Sequence, residues 1–204
     1  MSYSNSWLIQ QIVTGNSPKY NYFLSDRCIQ NADWDTHCFN ECFVAPFTID
    51  GTTYNTLTHW IMAQKAALFY DYVTMEKIIQ TKQAAHAKLL ACYIKNFDEE
   101  VWLAHAYSIV VKGNLHKFKK HYHLQRKLLN TQQNVIVAVT AQDNIWGNGL
   151  AYFSKELSNP LKWKGSNLLG YALMDVRDIL QAQQAMQFVP KQQQLISALS
   201  VARS

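Results

Sequence analysis

The spacing of apolar and polar positions divides the chain into a short β segment, a long helical stretch, a buried strand and a last helix. The run from Cys42 to Tyr54 predicts a hairpin, because Asp50-Gly51 is a turn pair between β-forming residues. From Thr56 to about Asn130 the period is helical. Asp98 before Glu99, Glu100 and Val101 predicts an N-cap followed by an acidic first turn. Lys112-Gly113-Asn114 predicts a break between helices. The β-branched run from Asn134 to Thr140 predicts a strand buried on both faces. Asp143 to Gly149, with two glycines around Trp146, predicts a turn, and Leu168 to Ala182 a final amphipathic helix. The glutamine-rich tail from Gln181 contains Pro190 and has enough apolar residues for a terminal helix over about 191–202. Residues 1–37 show no clear period. The expectation is one mainly helical α+β domain with a small sheet. Its divisions are 1–37, an N-terminal extension or the start of the domain; 38–182, the domain itself; and 183–204, the tail.

One position breaks the helical pattern. Thr58, Ile61, Met62, Lys65 and Phe69 fall on one helix face, so Lys65 stands on a mostly apolar stripe. Desolvation there disfavours the ammonium and lowers its pKa, which is what an amine nucleophile requires. The competing reading is a long side chain that snorkels to water from the edge of the core.

The bulk numbers narrow the class. At 204 residues and 49% hydrophobic content the chain suits one globular domain. No apolar run approaches the roughly 18 residues of a membrane helix, and the first residues lack a basic start and an apolar stretch. A cytoplasmic protein that does not engage a membrane is expected. Cys28, Cys38, Cys42 and Cys92 offer no second close pair for zinc and read as reduced thiols, so no metal is expected. Part of the net charge of +5 sits in His116 to His123. That segment reads either as a phosphate or nucleic-acid contact, or as the solvated face of a helix whose Phe118 and Tyr122 turn to the core.

Three stretches, in order, resemble the NADAR or YbiA-like family. The first is Asp50-Gly51, Tyr54, His59, Gln64-Lys65-Ala66 and Phe69. The second is Lys88, Phe97-Asp98, Trp102, Gly113-Asn114, Lys117-Phe118, Leu128-Leu129 and Thr131. The third is Asp143, Trp146-Gly147, Gly149, Trp163, Gly165, Asn167 to Gly170, and Leu173 to Arg177. The resemblance implies N-glycosidase chemistry on riboflavin-pathway intermediates or on ADP-ribosylated guanine, without a cofactor. It implies Lys65 as the nucleophile, through a Schiff base with ribose C1. Under that reading Asp143 is the acid or base. Tyr54, His59 and Trp146-Gly147 form the wall that stacks base or sugar, and Lys117 lies near phosphate. Asn167 divides between capping the last helix and binding the ligand.

Departures from the family pattern set against this. Thr58 stands where the family has Glu, Ala138 where it has a second Glu, and Ala91-Cys92 where it has Gly-Arg. Ala106 stands where an arginine is expected, and Asn40-Glu41-Cys42 replaces Ser-Asn-Phe. General acids and bases supply about 10²–10⁴-fold each, and arginines clamp phosphates. Three functions follow: a diverged N-glycosidase acting on a ribosyl-phosphate or ADP-ribosyl group, as a small molecule or on nucleic acid; a pseudoenzyme that binds such a ligand; or an interaction module using His116 to His123. The protein partner of such a module is unknown.

Overall fold

The computed structural model describes residues 1–25 and 37–201, with side chains to residue 186. It is a mixed α+β fold, mainly helical, with two small sheets. The hairpin forms as the Asp50-Gly51 turn pair predicts: β2 (Phe47–Ile49) pairs antiparallel with β3 (Thr52–Tyr54), and Asp50 and Gly51 both take positive φ, 49° and 80°. In the N-terminal segment, where no period is legible, α1 (Asn5–Val13) and β1 (Tyr20–Leu24) form. Ser4 caps α1, and Leu8 is its one fully buried side chain, too little to leave a pattern. β1 pairs in parallel with β4 (Val135–Val139), which is buried throughout, as the β-branched run predicts.

The helical stretch resolves into α2 (Leu57–Leu68), α3 (Tyr72–Gln80), α4 (Ala84–Ala91), α5 (Glu99–Lys120) and α6 (Tyr122–Leu129). Asp98 caps α5 by accepting from Val101 N at 2.9 Å. The break expected at Gly113 does not occur. Gly113 lies inside α5 because a Cβ there would come within 2.3 Å of the Trp60 ring and 2.7 Å of Leu57. The glycine lets α2 and α5 approach closely, and the Trp60 indole donates to Ile109 O across the same contact at 2.8 Å. The real break is His121, which ends α5 and starts α6 with extended backbone. Phe118 is therefore buried while Tyr122 is 62% exposed, so the expected shared core face of these two does not hold. The last helix, α7 (Leu168–Val201), runs on where the sequence suggests two elements. Arg177 on α7 is buried and donates to Thr131 Oγ1 and Asn134 O, both at 2.8 Å, tying α7 to the approach to β4.

The end of α2 carries a local cost. Tyr70 N donates to Ala67 O and Asp71 N to Ala66 O, both at 3.0 Å, the bonding of a Schellman motif. The left-handed position of that motif favours glycine, yet Tyr70 holds it at φ 59° with its ring 80% exposed. Tyr70→Gly is expected to stabilise the fold by up to about 1 kcal/mol, read as a higher urea midpoint at unchanged slope. An unchanged or lower midpoint counts against strain at Tyr70.

Of the four cysteines expected as thiols, Cys38 and Cys92 remain so, while Cys42 is disulfide-bonded. Cys28 lies outside the described residues. No helix among the described residues is long and apolar enough to cross a membrane.

Candidate functional site

α2 carries the reactive candidate because its helical register sets Lys65 against the start of α5. Thr56 caps α2, accepting from His59 N. Seven residues on from Thr58, Lys65 is half-buried, with Nζ 4.0 Å above the Phe97 ring and 5.4 Å from that of Trp102. Burial lowers its pKa from the ordinary lysine value, while Cys92 and Glu99 act in the opposite sense. Among the described residues no carboxylate forms an ion pair with it. Loss of hydration makes this amine more readily deprotonated than a solvated one, while the aromatic faces and Glu99 favour the ammonium.

The N-terminal end of the same helix meets the turn that precedes the hairpin. Thr58 is fully buried. Its amide donates to Glu41 O at 3.0 Å and its hydroxyl to Cys42 Sγ at 3.6 Å. The Glu41 carboxylate pairs with Lys88 of α4 at 2.5 Å. Lys117, from α5, reaches under this turn, with Nζ donating to Cys38 O at 2.7 Å and Asn40 O at 3.2 Å. It is wholly buried, and burial brings its pKa down to about 8. Its ammonium holds the turn that presents Glu41 and has no exposure with which to meet a phosphate.

Three further expected residues are committed to the framework. His59 is fully buried; Nδ1 meets Thr56 Oγ1 at 2.8 Å and Nε2 meets Thr81 O at 3.1 Å. Burial lowers its pKa, in keeping with a neutral ring that accepts at Nδ1 and donates at Nε2. Tyr54 is buried with its ring edge-on to Trp60, 5.1 Å between centroids. Asn167, at φ 52°, accepts from Ala138 N at 2.8 Å and donates to Ile136 O at 2.9 Å. Its amide thus serves the open edge of β4 as a neighbouring strand would.

Asp143, Trp146 and Gly147 form a second cluster at the end of β4. Asp143 Oδ1 accepts from Ile145 N at 2.9 Å and Trp146 N at 2.8 Å, closing its own turn. Gly147 has no room for a Cβ, which would lie 2.1 Å from the Thr140 methyl. Trp146 O and Gly147 O then receive Leu169 N and Asn167 N, so the turn seats the first residues of α7. The hydrogen bonds of Asp143 stay within this turn and do not reach α2.

Sequence reasoning underrated Phe97, Trp102 and Lys88. Phe97 and Lys88 stand in the quoted motif stretches, but only the packing of α4 and α5 on α2 reveals what they touch. Asn114, which the sequence offers only as part of a helix break and of a motif stretch, is fully buried with neither amide atom hydrogen-bonded. At positions 106 and 138 the alanines are sealed in the core, so no ionisable group replaces the ones the family pattern leads one to expect.

Comparison with known proteins finds relatives over most of the chain. N-glycosidase R617 of Acanthamoeba polyphaga mimivirus is 33% identical over 147 residues, 70% of this chain and 86% of the relative. N-glycosidase YbiA of Escherichia coli strain K12 is 29% identical over 135 residues, 66% and 76% of the two chains. The NMR structure of the E. coli protein YbiA superposes with a TM-score of 0.66 at 25% identity, covering 83% of this chain and 89% of that one. The NADAR domain model matches residues 22–181, and the chain belongs to the NADAR domain family.

Proposed function

We propose that this chain is an N-glycosidase that cleaves the C–N bond of a ribosyl-phosphate or ADP-ribosyl substrate, with Lys65 as the nucleophile. The observation that carries the reading is the Lys65 amine itself, half-buried, unpaired with any carboxylate among the described residues, and set against Phe97 and Trp102. In the reaction the bond from ribose C1 to the base breaks and the base leaves with a proton. The Lys65 nitrogen bonds to C1 and gives up one proton to balance the one that leaves with the base; the bond from C1 to the ring oxygen then breaks, that oxygen takes up the second nitrogen proton as a hydroxyl, and an imine remains. Water then hydrolyses the imine, releasing the sugar aldehyde and restoring the amine. Cationic character at C1 and at the protonated imine is stabilised by the faces of Phe97 and Trp102.

Thr58 cannot move protons, so that work falls to another group. Glu41 is the acid whose backbone is bonded to the start of α2, and with Lys88 it forms a carboxylate–ammonium pair able to relay a proton. Asp143 has one oxygen held by its turn and remains the alternative proton carrier. A second reading, a ligand-binding protein without turnover, is favoured by one observation: positions 58, 106 and 138 are sealed and bear no ionisable group.

The test is reductive trapping. The protein is incubated with ribose 5-phosphate, ADP-ribose or ADP-ribosylated DNA in the presence of borohydride, and its intact mass is measured. A sugar adduct mapped to Lys65 is the expected result. No adduct on folded protein overturns the glycosidase reading, and calorimetric binding of the same ligands then supports the non-catalytic one.

A further inference from the structure

The first turn of α5 brings a carboxylate to the Lys65 end of α2. α5 starts at Glu99, two residues after Phe97, and Glu99, Trp102 and Ala106 recur at helical spacing along one stripe. Trp102 and Ala106 are buried in that stripe, and Trp102 and Phe97 supply the rings beside Lys65 Nζ. Glu99 therefore stands one turn ahead of Trp102 on the same side of the helix. Glu100 stands one turn ahead of Leu103, which is 44% exposed, so the second glutamate belongs to the solvent side.

The other acids around α2 already have partners. Asp98 caps α5 through Val101 N, Asp71 accepts from Thr74 N and Lys95 N, and Glu41 pairs with Lys88. The charges that act on Lys65 are those of Glu99, from α5, and Cys92, from the end of α4. Glu99 forms no salt bridge with Lys65, so the amine is not tied to it. A reacting carbon can come up to such an amine while the field of the carboxylate still reaches it. An acidic first turn also suits the helix dipole. Glu99 and Glu100 share that role, but of the two only Glu99 acts on the amine.

We propose that Glu99 is a further residue of the reaction at Lys65, a carboxylate whose charge stabilises the cation that forms when the amine is joined to the sugar carbon. The assignment rests on Lys65 as the nucleophile. It asks no proton transfer of Glu99, so Glu41 and Asp143 keep that part. When Lys65 meets a sugar aldehyde, its nitrogen bonds to C1 and one nitrogen proton passes to the former carbonyl oxygen. Hydroxide then leaves with its bonding pair, and the nitrogen lone pair closes a cationic C=N bond. Hydride from a reductant adds to C1 and fixes the adduct. The positive charge appears as hydroxide leaves, and there Glu99 acts.

The pH dependence follows from where the charge sits. At low pH Lys65 starts as an ammonium, so the starting state and the cation carry the same charge and Glu99 favours them nearly alike. At high pH Lys65 starts neutral, and only the cation benefits. Loss of the carboxylate should therefore lower the alkaline plateau, leave the low-pH limb nearly unchanged and move the midpoint to lower pH, since Glu99 holds the amine's pKa up. Damage to the site lowers both limbs.

The experiment is reductive trapping of glycolaldehyde, a short uncharged sugar aldehyde, in excess cyanoborohydride across a pH series, with the adduct at Lys65 quantified by peptide mass. Glu99→Gln is expected to trap about threefold more slowly on the plateau and to coincide with the wild type at low pH. At about 1 M salt, where the Debye length is about 3 Å, the wild type is expected to approach the variant. Glu100→Gln removes the same charge from the same turn and is expected to behave as wild type. The series is repeated with Cys92→Ser, which removes the other charge that acts on the amine, and the effect of Glu99→Gln is expected to persist. Glu99→Asp keeps the charge and is expected to fall between the two profiles; it takes the place of Glu99→Gln if that variant does not fold. A Glu99→Gln profile that follows the wild type, an equal fall of both limbs, or an equal effect of Glu100→Gln overturns the assignment and leaves Lys65 in place. Failure of ribose 5-phosphate, ADP-ribose and ADP-ribosylated DNA to trap removes the glycosidase reading instead, whatever glycolaldehyde shows.

Discussion

A Lys65→Arg variant is expected to fold as the parent does and to give no trapped sugar adduct, a loss of at least about 10³-fold in trapping rate. Arginine keeps the positive charge, the length and the contact with the faces of Phe97 and Trp102, so packing changes little. What it loses is the neutral nitrogen. Guanidinium stays protonated at any pH the protein tolerates and has no lone pair for ribose C1. The wild type is expected to show a matching pH dependence. Burial places the Lys65 pKa below the ordinary lysine value, so the neutral amine appears earlier as pH rises. Trapping should climb with pH and level off before the usual lysine range of about 10.4. Trapping by Lys65→Arg at the parental rate, or at another residue, removes Lys65 from the mechanism. A variant that unfolds is distinguished by its thermal transition, and Lys65→Met then supplies a neutral replacement of similar length.

The parts of the fold legible in the sequence are those with local causes. The hairpin follows from Asp50-Gly51, the cap of α5 from Asp98, and β4 from its unbroken β-branched run. The misreadings arise where tertiary contacts decide. Gly113 resembles a helix break, but its purpose is the close approach of Trp60, which no local window contains. His121 gives no conventional breaking signal, yet its backbone turns the chain and exposes Tyr122. β1 is invisible because its partner lies more than a hundred residues away. The candidate site divides the same way. Lys65 was legible because a charge on an apolar stripe is a local anomaly. The Glu41–Lys88 pair and the Phe97 platform join elements that only packing brings together. Residues such as His59 and Asn167, polar and close to the site in sequence, serve the backbone: one links α2 to Thr81, the other replaces a missing strand beside β4.

Stability between about pH 8 and pH 10 is expected to rise in the wild type, by on the order of 2 kcal/mol from Lys117. The side chain is fully buried, and its pKa of about 8 lies below the value it takes in the unfolded chain. Below pH 8 both states hold the proton and the folded state bears the full cost of a buried ammonium. Between the two pKa values the unfolded chain keeps a proton that the folded chain has released. The unfolded state binds more protons there, so stability increases with pH. Tyrosines oppose this at the upper end: burial and Asp178 push Tyr3 up to about 12, and burial also raises Tyr107 and Tyr171, so each holds its proton in the fold after the unfolded chain has lost it. Their effect begins near pH 10, which leaves the lower window to Lys117 and to Lys65, whose pKa burial also lowers; the Lys117→Met comparison separates the two. The comparison is Lys117→Met, with urea midpoints measured from about pH 7 to about pH 10. The difference in stability between wild type and variant should shift in favour of the wild type across that window, and parallel pH profiles would show that Lys117 is not buried as a charge. A neutral Lys117 amine still donates to Cys38 O and Asn40 O, so the turn that carries Glu41 stays in place as the proton leaves. Methionine cannot do this. Its variant should therefore also lose trapping at Lys65 if Glu41 moves protons there, and keep it if Asp143 does.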